Sequence, residues 1–179
     1  MEASQYLDKF SVKILVFLSQ EPLKSYYQRE IARIVGISVG KTNQVLRALE
    51  SEEIVLKEVK GKMTLYRYNL HNPAARHLKI LFNLTELNEL VKQLRRVSRK
   101  TVLFGSCSEG TDTIESDIDL LILTDNREKT RRIINQTRRL LSRRVSPILL
   151  NPLEFSQLKD KDRPLYEQVS RGITLWQEE

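Results

Sequence analysis

Apolar side chains recur at helical spacing from Gln5 to Gln20 through Tyr6, Leu7, Phe10, Val12, Ile14, Leu15 and Leu18, and Glu21-Pro22 ends the pattern, so a first helix is predicted there. Gln28 to Val35 repeats the pattern over Ile31, Ala32 and Val35, and Gly36 supplies a left-handed exit. Ser38 is placed to cap a third helix whose inner positions are Val45, Leu46 and Leu49. The period then changes to that of strands. Ile54 to Lys60 and Met63 to Leu70, separated by Gly61-Lys62, read as a hairpin.

With Val45, Leu46 and Leu49 turned inward, Lys41, Thr42, Asn43, Gln44 and Arg47 are expected on the free face of the third helix. Amide side chains suit adenine, arginine suits guanine, and lysine suits phosphate. The hairpin adds Lys57, Lys60, Lys62 and Arg67. Two helices, a Gly-containing turn, a helix and a hairpin make the order of a winged helix-turn-helix, and REIARIVGISVGKTNQVLRALESEEIV resembles the bacterial and archaeal regulator families of that fold. The resemblance covers residues 5 to 70 and implies a duplex DNA partner, with Lys41, Thr42, Asn43, Gln44, Arg47, Lys60 and Lys62 touching it and a protein-interaction module as the rival reading.

Residues 71 to 100 open on Asn72-Pro73, and Ile80, Leu84, Leu87, Val91 and Leu94 then alternate four and three apart. Two heptads fit a homodimer seam within residues 78–97 and a helical connector packed on its own domains equally well.

Charge and composition narrow the classes. The 179 residues include 30 basic and 23 acidic side chains, a net of +7, with 40% apolar residues, enough for two small cores. The excess is carried by residues 1–100, which suits a polyanionic partner. One cysteine and two histidines exclude an internal disulfide and a Cys/His zinc cluster. No stretch approaches the ~20 apolar residues of a membrane span, so no membrane partner is expected and the expected location is the cytoplasm.

The chemistry-bearing pattern begins at Thr101 to Phe104, an apolar strand followed by Gly105-Ser106 and, ten residues later, by Ser116-Asp117-Ile118-Asp119 and a second apolar strand, Leu120 to Leu123. Gly105 has no β-carbon to obstruct a phosphate, and Ser106 opens a helix with an N–H and a hydroxyl. Asp117 and Asp119 are two apart and face the same way, a geometry for Mg²⁺ or Mn²⁺ with a nucleotide's phosphates. Cys107 reads as packing. The string LFGSCSEGTDTIESDIDLLIL resembles the nucleotidyltransferase superfamily of DNA polymerase beta and kanamycin nucleotidyltransferase, especially its minimal members. That resemblance implies an NTP as substrate or ligand, Gly105 and Ser106 on phosphate, and Asp117 and Asp119 as metal ligands and catalytic residues. Minimal nucleotidyltransferases resemble members of two-gene toxin systems, which implies a helical protein partner as a further reading.

The same resemblance places a third carboxylate on a later strand, and here Val145-Ser146-Pro147-Ile148-Leu149-Leu150 has none: Ser146 stands at the position. Glu154 and Asp160 follow downstream without a place in the site. The Arg pairs 131/132, 138/139 and 143/144 are expected on the solvated outer face of a helix from Arg127 to Leu141. The expected whole is an α+β chain: a winged helix-turn-helix at 1–70, a helical connector at 71–100 and a nucleotidyltransferase-like mixed sheet with flanking helices at 101–179. Its expected function is that of a DNA-binding transcriptional regulator with a Mg²⁺-nucleotide domain, either transferring a nucleotidyl group to a hydroxyl or only sensing the nucleotide.

Overall fold

The computed structural model describes residues 8–61 and 63–178, which divide into two compact units with the boundary between Lys79 and Ile80. In the first, Asp8 caps helix α1 (Lys9–Gln20) by accepting from the Phe10 amide at 2.8 Å, so the helix starts at Lys9; the expected Gln5, Tyr6 and Leu7 lie outside the described residues. Helix α2 (Gln28–Val35) ends on Gly36 at φ +67°, whose N–H returns to Ala32 O. That left-handed joint redirects the chain into α3 (Val39–Ser51), capped by Ser38.

Strands β2 (Val55–Lys60) and β3 (Met63–Tyr68) form the expected hairpin. A two-residue strand β1 (Tyr26–Tyr27) joins β3 antiparallel, Tyr26 opposite Tyr66, giving the order β1-β3-β2. Two residues are too few to carry a period, so the hydrophobic pattern does not predict β1. The core of this unit gathers Ile14, Leu15, Leu18, Ile31, Leu46, Leu49 and Tyr68, each fully buried.

Thr42 departs from expectation. It is 0% exposed and lies on the inner face of α3, because positions 42, 45, 46 and 49 share one stripe of a 3.6-residue helix. It is therefore removed from the DNA-facing set. Its hydroxyl has no hydrogen-bond partner among the described residues. A buried hydroxyl without a partner costs roughly 1–3 kcal/mol, so Thr42→Val, nearly identical in shape, is expected to raise the urea midpoint of this unit; an unchanged or lower midpoint would mean that the hydroxyl is satisfied.

Helix α4 (Pro73–Leu94) begins with the first unit, where Tyr68 Oη donates to Ala75 O at 2.8 Å. From Ile80 onward it belongs with the second. Leu87, Leu90, Val91 and Leu94 are 0 to 7% exposed in the second unit's core. The heptad positions Leu87, Val91 and Leu94 are thus occupied within the chain and are not free for the homodimer seam expected at residues 78–97. An alternating four-three stripe serves a helix laid on a sheet as well as a coiled coil.

The sheet of the second unit has the order β6-β5-β4-β7. β4 (Lys100–Phe104) runs antiparallel to β5 (Ile118–Leu123) and to β7 (Ile173–Gln177), whereas β5 and β6 (Val145–Leu150) are parallel, joined through α6 (Arg127–Thr137) and a 3₁₀ turn, Arg138–Leu140. Alternation along the strands makes two cores. Leu103, Ile118, Leu120, Ile122 and Val145 face α4 and α6, while Val102, Phe104, Leu121 and Leu123 face the C-terminal helices α8 (Leu158–Lys161) and α9 (Arg163–Arg171). The short α5 (Ser106–Glu109) follows β4, and α7 (Pro152–Ser156) follows β6. The helix after Arg127 ends sooner than expected, at Thr137, and Leu140 beyond it is 65% exposed. Among the described residues, no helix is long and apolar enough to cross a membrane.

Candidate nucleotide site and nucleic-acid interface

Asp119 is the second residue of β5, paired with Phe104 on one side and Ser146 on the other. With Ile118 and Leu120 fully buried on the α4 face, Asp119 points to the opposite face, and Asp117, just before the strand, lies close enough for its charge to act on Asp119. Burial, and after it the charge of Asp117, pushes the Asp119 carboxyl above its ordinary range. Asp117 is a like charge beside Asp119, and a cation brought by a ligand is what such a pair of carboxylates fits.

Gly105 adjoins the pair. Its φ is +67°, and a β-carbon there would stand 2.6 Å from Asp119 Oδ2, so both backbone conformation and space demand glycine. Ser106 opens α5, and Gly110, at φ +68°, closes it by donating to Ser106 O. Ser108 Oγ donates to Gly105 O at 2.7 Å. Cys107 is 1% exposed, within the core, as its packing role requires.

The structure thus brings Gly105, Ser106, Asp117, Asp119 and Ser146 to one end of the sheet. Among the described residues, no group of three or more His, Cys, Asp or Glu side chains is placed to hold a metal. Mg²⁺ takes one or two carboxylates and fills its shell from substrate phosphates and water, so this donor set fits a nucleotide-borne ion and not a protein cage. Glu154 is not a third acid for the site. It caps α7 with Asn151 and pairs with Arg127, which holds its carboxyl below the usual range. It also follows Leu150, the end of β6 four residues from Ser146, or about 13 Å along a strand. Asp160 lies on α8.

Beneath the site is a network that the sequence does not reveal. Arg143, expected on a solvated helix face, has a side chain only 6% exposed. It pairs with Asp112, with Glu86 at 3.1 Å, and donates to Asn83 Oδ1 at 3.0 Å and to Cys107 Sγ at 3.4 Å. Asn83 Nδ2 in turn donates to Cys107 O and to Asp112 Oδ1, both at 2.9 Å. Cys107 Sγ reaches Asp117 O at 3.5 Å. The loop carrying Asp117, outside the β-ladder, is therefore held by side chains of α4 and of residue 143.

In the first unit, Gln44 and Arg47 are exposed and Lys41 and Asn43 half-buried on α3. Lys41 Nζ lies 5.2 Å from the centre of the Phe10 ring and donates to Gln44 Oε1 at 3.2 Å. Lys60 is exposed and paired with Glu58 at 3.2 Å on the hairpin; Lys62 lies outside the described residues. A groove between α2 and the hairpin, lined by Tyr27, Gln28, Arg29, Glu30, Arg33, Met63 and Thr64, adds Arg29 and Arg33, both exposed. Their place on the outer face of α2 is legible in the sequence as the polar half of its pattern.

The fold and site define a two-domain protein: a three-helix unit with a winged hairpin, followed by a mixed sheet bearing a Gly-Ser turn against an Asp-x-Asp strand. The family model described as winged helix-turn-helix DNA-binding matches residues 7–55, and the nucleotidyltransferase domain model matches residues 84–167. No curated protein matches the chain. The chain thus joins a region similar to the winged helix-turn-helix DNA-binding family to one similar to the nucleotidyltransferase domain.

Proposed function

We propose that this protein is a DNA-binding regulator of transcription whose second domain binds a Mg²⁺-nucleotide and transfers its nucleotidyl group slowly or not at all. The observation that carries the nucleotide half is the Asp117-Asp119 pair set against Gly105, where a β-carbon would fill the space beside Asp119. Gly105 and Ser106 offer room and donors to phosphate, and Asp117 and Asp119 hold the ion that the phosphates bring. When bound, that ion neutralises phosphate charge and the repulsion between the two carboxylates.

Transfer to a hydroxyl also needs a group to take the acceptor's proton. Ser146, beside Asp119, offers only a neutral hydroxyl, and this favours a sensing role over vigorous catalysis. A nucleotide bound without turnover is a signal, and a DNA-binding domain on the same chain is a means of acting on it.

The DNA half rests on the free face of α3. Full-length protein is expected to bind duplex DNA with an affinity that falls steeply with salt, and Lys41→Ala with Arg47→Ala to lower the log-log salt slope by about 1 for each phosphate left unneutralised. Binding that is insensitive to salt, or absent for every duplex in a random-sequence selection, would favour a protein-interaction role. The nucleotide half is tested by equilibrium binding of NTP with Mg²⁺.

A further inference from the structure

A second basic cluster lies where the functional reading does not use it. Residues 127–144, REKTRRIINQTRRLLSRR, contain eight basic side chains and one acidic, a net of +7. The rest of residues 101–179 is acidic, so this segment is the basic cluster of the second half of the chain. Seven of the eight are arginines.

The structure sorts these eight by what they touch. Arg127 pairs with Glu154, Arg132 with Glu128, and Arg143 is consumed by Asp112 and Glu86. Lys129, Arg131, Arg138, Arg139 and Arg144 are exposed and make no ion pair among the described residues. On α6 and its 3₁₀ extension, Arg131, Asn135, Arg138 and Arg139 follow one another at spacings of four, three and one. They form one outward stripe, because Thr130, Ile134 and Thr137 turn the other face of α6 into the core. Ile134 belongs to the core on the α4 side of the sheet, so this stripe lies across the sheet from Asp119 and is separate from the nucleotide site.

We propose that this arginine stripe is a second nucleic-acid surface, which grips the phosphodiester backbone without reading sequence. Unpaired guanidinium groups at helical spacing carry a local field that attracts a polyanion, and their forked donors match phosphate oxygens two at a time. Asn135 and Gln136, both exposed, add amide donors of the kind that also bind phosphate. No exposed aromatic ring stands among residues 127–144, so base stacking is not part of the surface. A membrane is disfavoured because a helix that binds lipid needs a free apolar face, and that of α6 is already buried. Nucleic acid is favoured over an acidic protein because the chain already carries a DNA-binding domain. The inference stands apart from nucleotide binding at Asp117 and Asp119, and either can fail without the other.

The test uses the full-length protein with Arg131→Gln, Arg138→Gln and Arg139→Gln combined, titrated against labelled 30-nucleotide single strands and duplexes of random sequence between 50 and 200 mM salt. Leaving three phosphates unneutralised is expected to lower the duplex salt slope by about 2.7. This corresponds to a roughly 40-fold smaller fall in affinity across that range. The corresponding triple Arg→Lys variant should keep most of the slope. Should the triple Gln variant not fold, Arg131→Gln alone is expected to lower the slope by about 1. An unchanged slope in the variants overturns the proposal. So does binding to phosphatidylserine vesicles that the same substitutions abolish while nucleic-acid binding stays as it was.

Discussion

Arg143→Ala is expected to destabilise the nucleotidyltransferase domain by about 3–5 kcal/mol, a large share of the ~5–15 kcal/mol that holds an ordinary domain folded. The reason is the partner left behind. Asp112 has a side chain 1% exposed, and removing the guanidinium takes the Arg143 charge away from a carboxylate held out of water. Arg143→Lys keeps a charge but cannot reach Asp112, Glu86, Asn83 and Cys107 separately, so an intermediate loss is expected. Trp176, the single tryptophan, lies on β7 of the same domain, so urea unfolding followed by its fluorescence reads this domain directly. A loss below about 1 kcal/mol would mean that the network contributes as little as a surface ion pair.

The network also sets a pH dependence. Burial pushes the Glu86 carboxyl up, but hydrogen bonds from Ser142 Oγ and N, with the charge of Arg143, more than offset this and hold it below its usual range. An acid held low in the folded state contributes stability that is present above its unfolded value, near ~4.3, and lost as the pH falls through its lower folded value.

Ser146→Asp is expected to raise nucleotidyl transfer by about 100- to 10,000-fold, the usual worth of a positioned general base. The structure favours this variant because the β5-β6 register runs without a shift from Ile118 opposite Val145 to Leu123 opposite Leu150. Pro147 does not divert the strand, since β6 is at the sheet edge and a missing N–H is tolerated there. Ser146→Asn, close to Asp in size but without a base, should leave the rate low. Rapid transfer by the unaltered protein, indifferent to residue 146, would place the proton acceptor elsewhere and make the chain an efficient enzyme.

What the sequence discloses follows from the range of each interaction. Gly36, Ser38 and the Gly-Ser and Asp-x-Asp motifs act on neighbours a few residues away, so their spacing alone locates the helix-turn-helix and the acidic strand. Thr42 is legible in principle, since its phase with Val45, Leu46 and Leu49 is a local property, but its polarity suggests the outer face. Arg143 is not legible: its partners Asn83 and Asp112 are 60 and 31 residues away, and only the fold brings them together. For α4 the pattern fits two partners, and the sheet, not a second chain, covers Leu87, Val91 and Leu94.

Isothermal titration of the full-length protein with NTP and Mg²⁺ tests the central claim most directly. Saturable binding is expected with Mg²⁺ and not with EDTA, and Asp119→Asn or Asp117→Asn should each abolish it while leaving the thermal unfolding and duplex DNA binding in place, since each removes a hard oxygen charge with little change in volume. No heat with any NTP and any divalent ion, or binding that survives both substitutions, would contradict it.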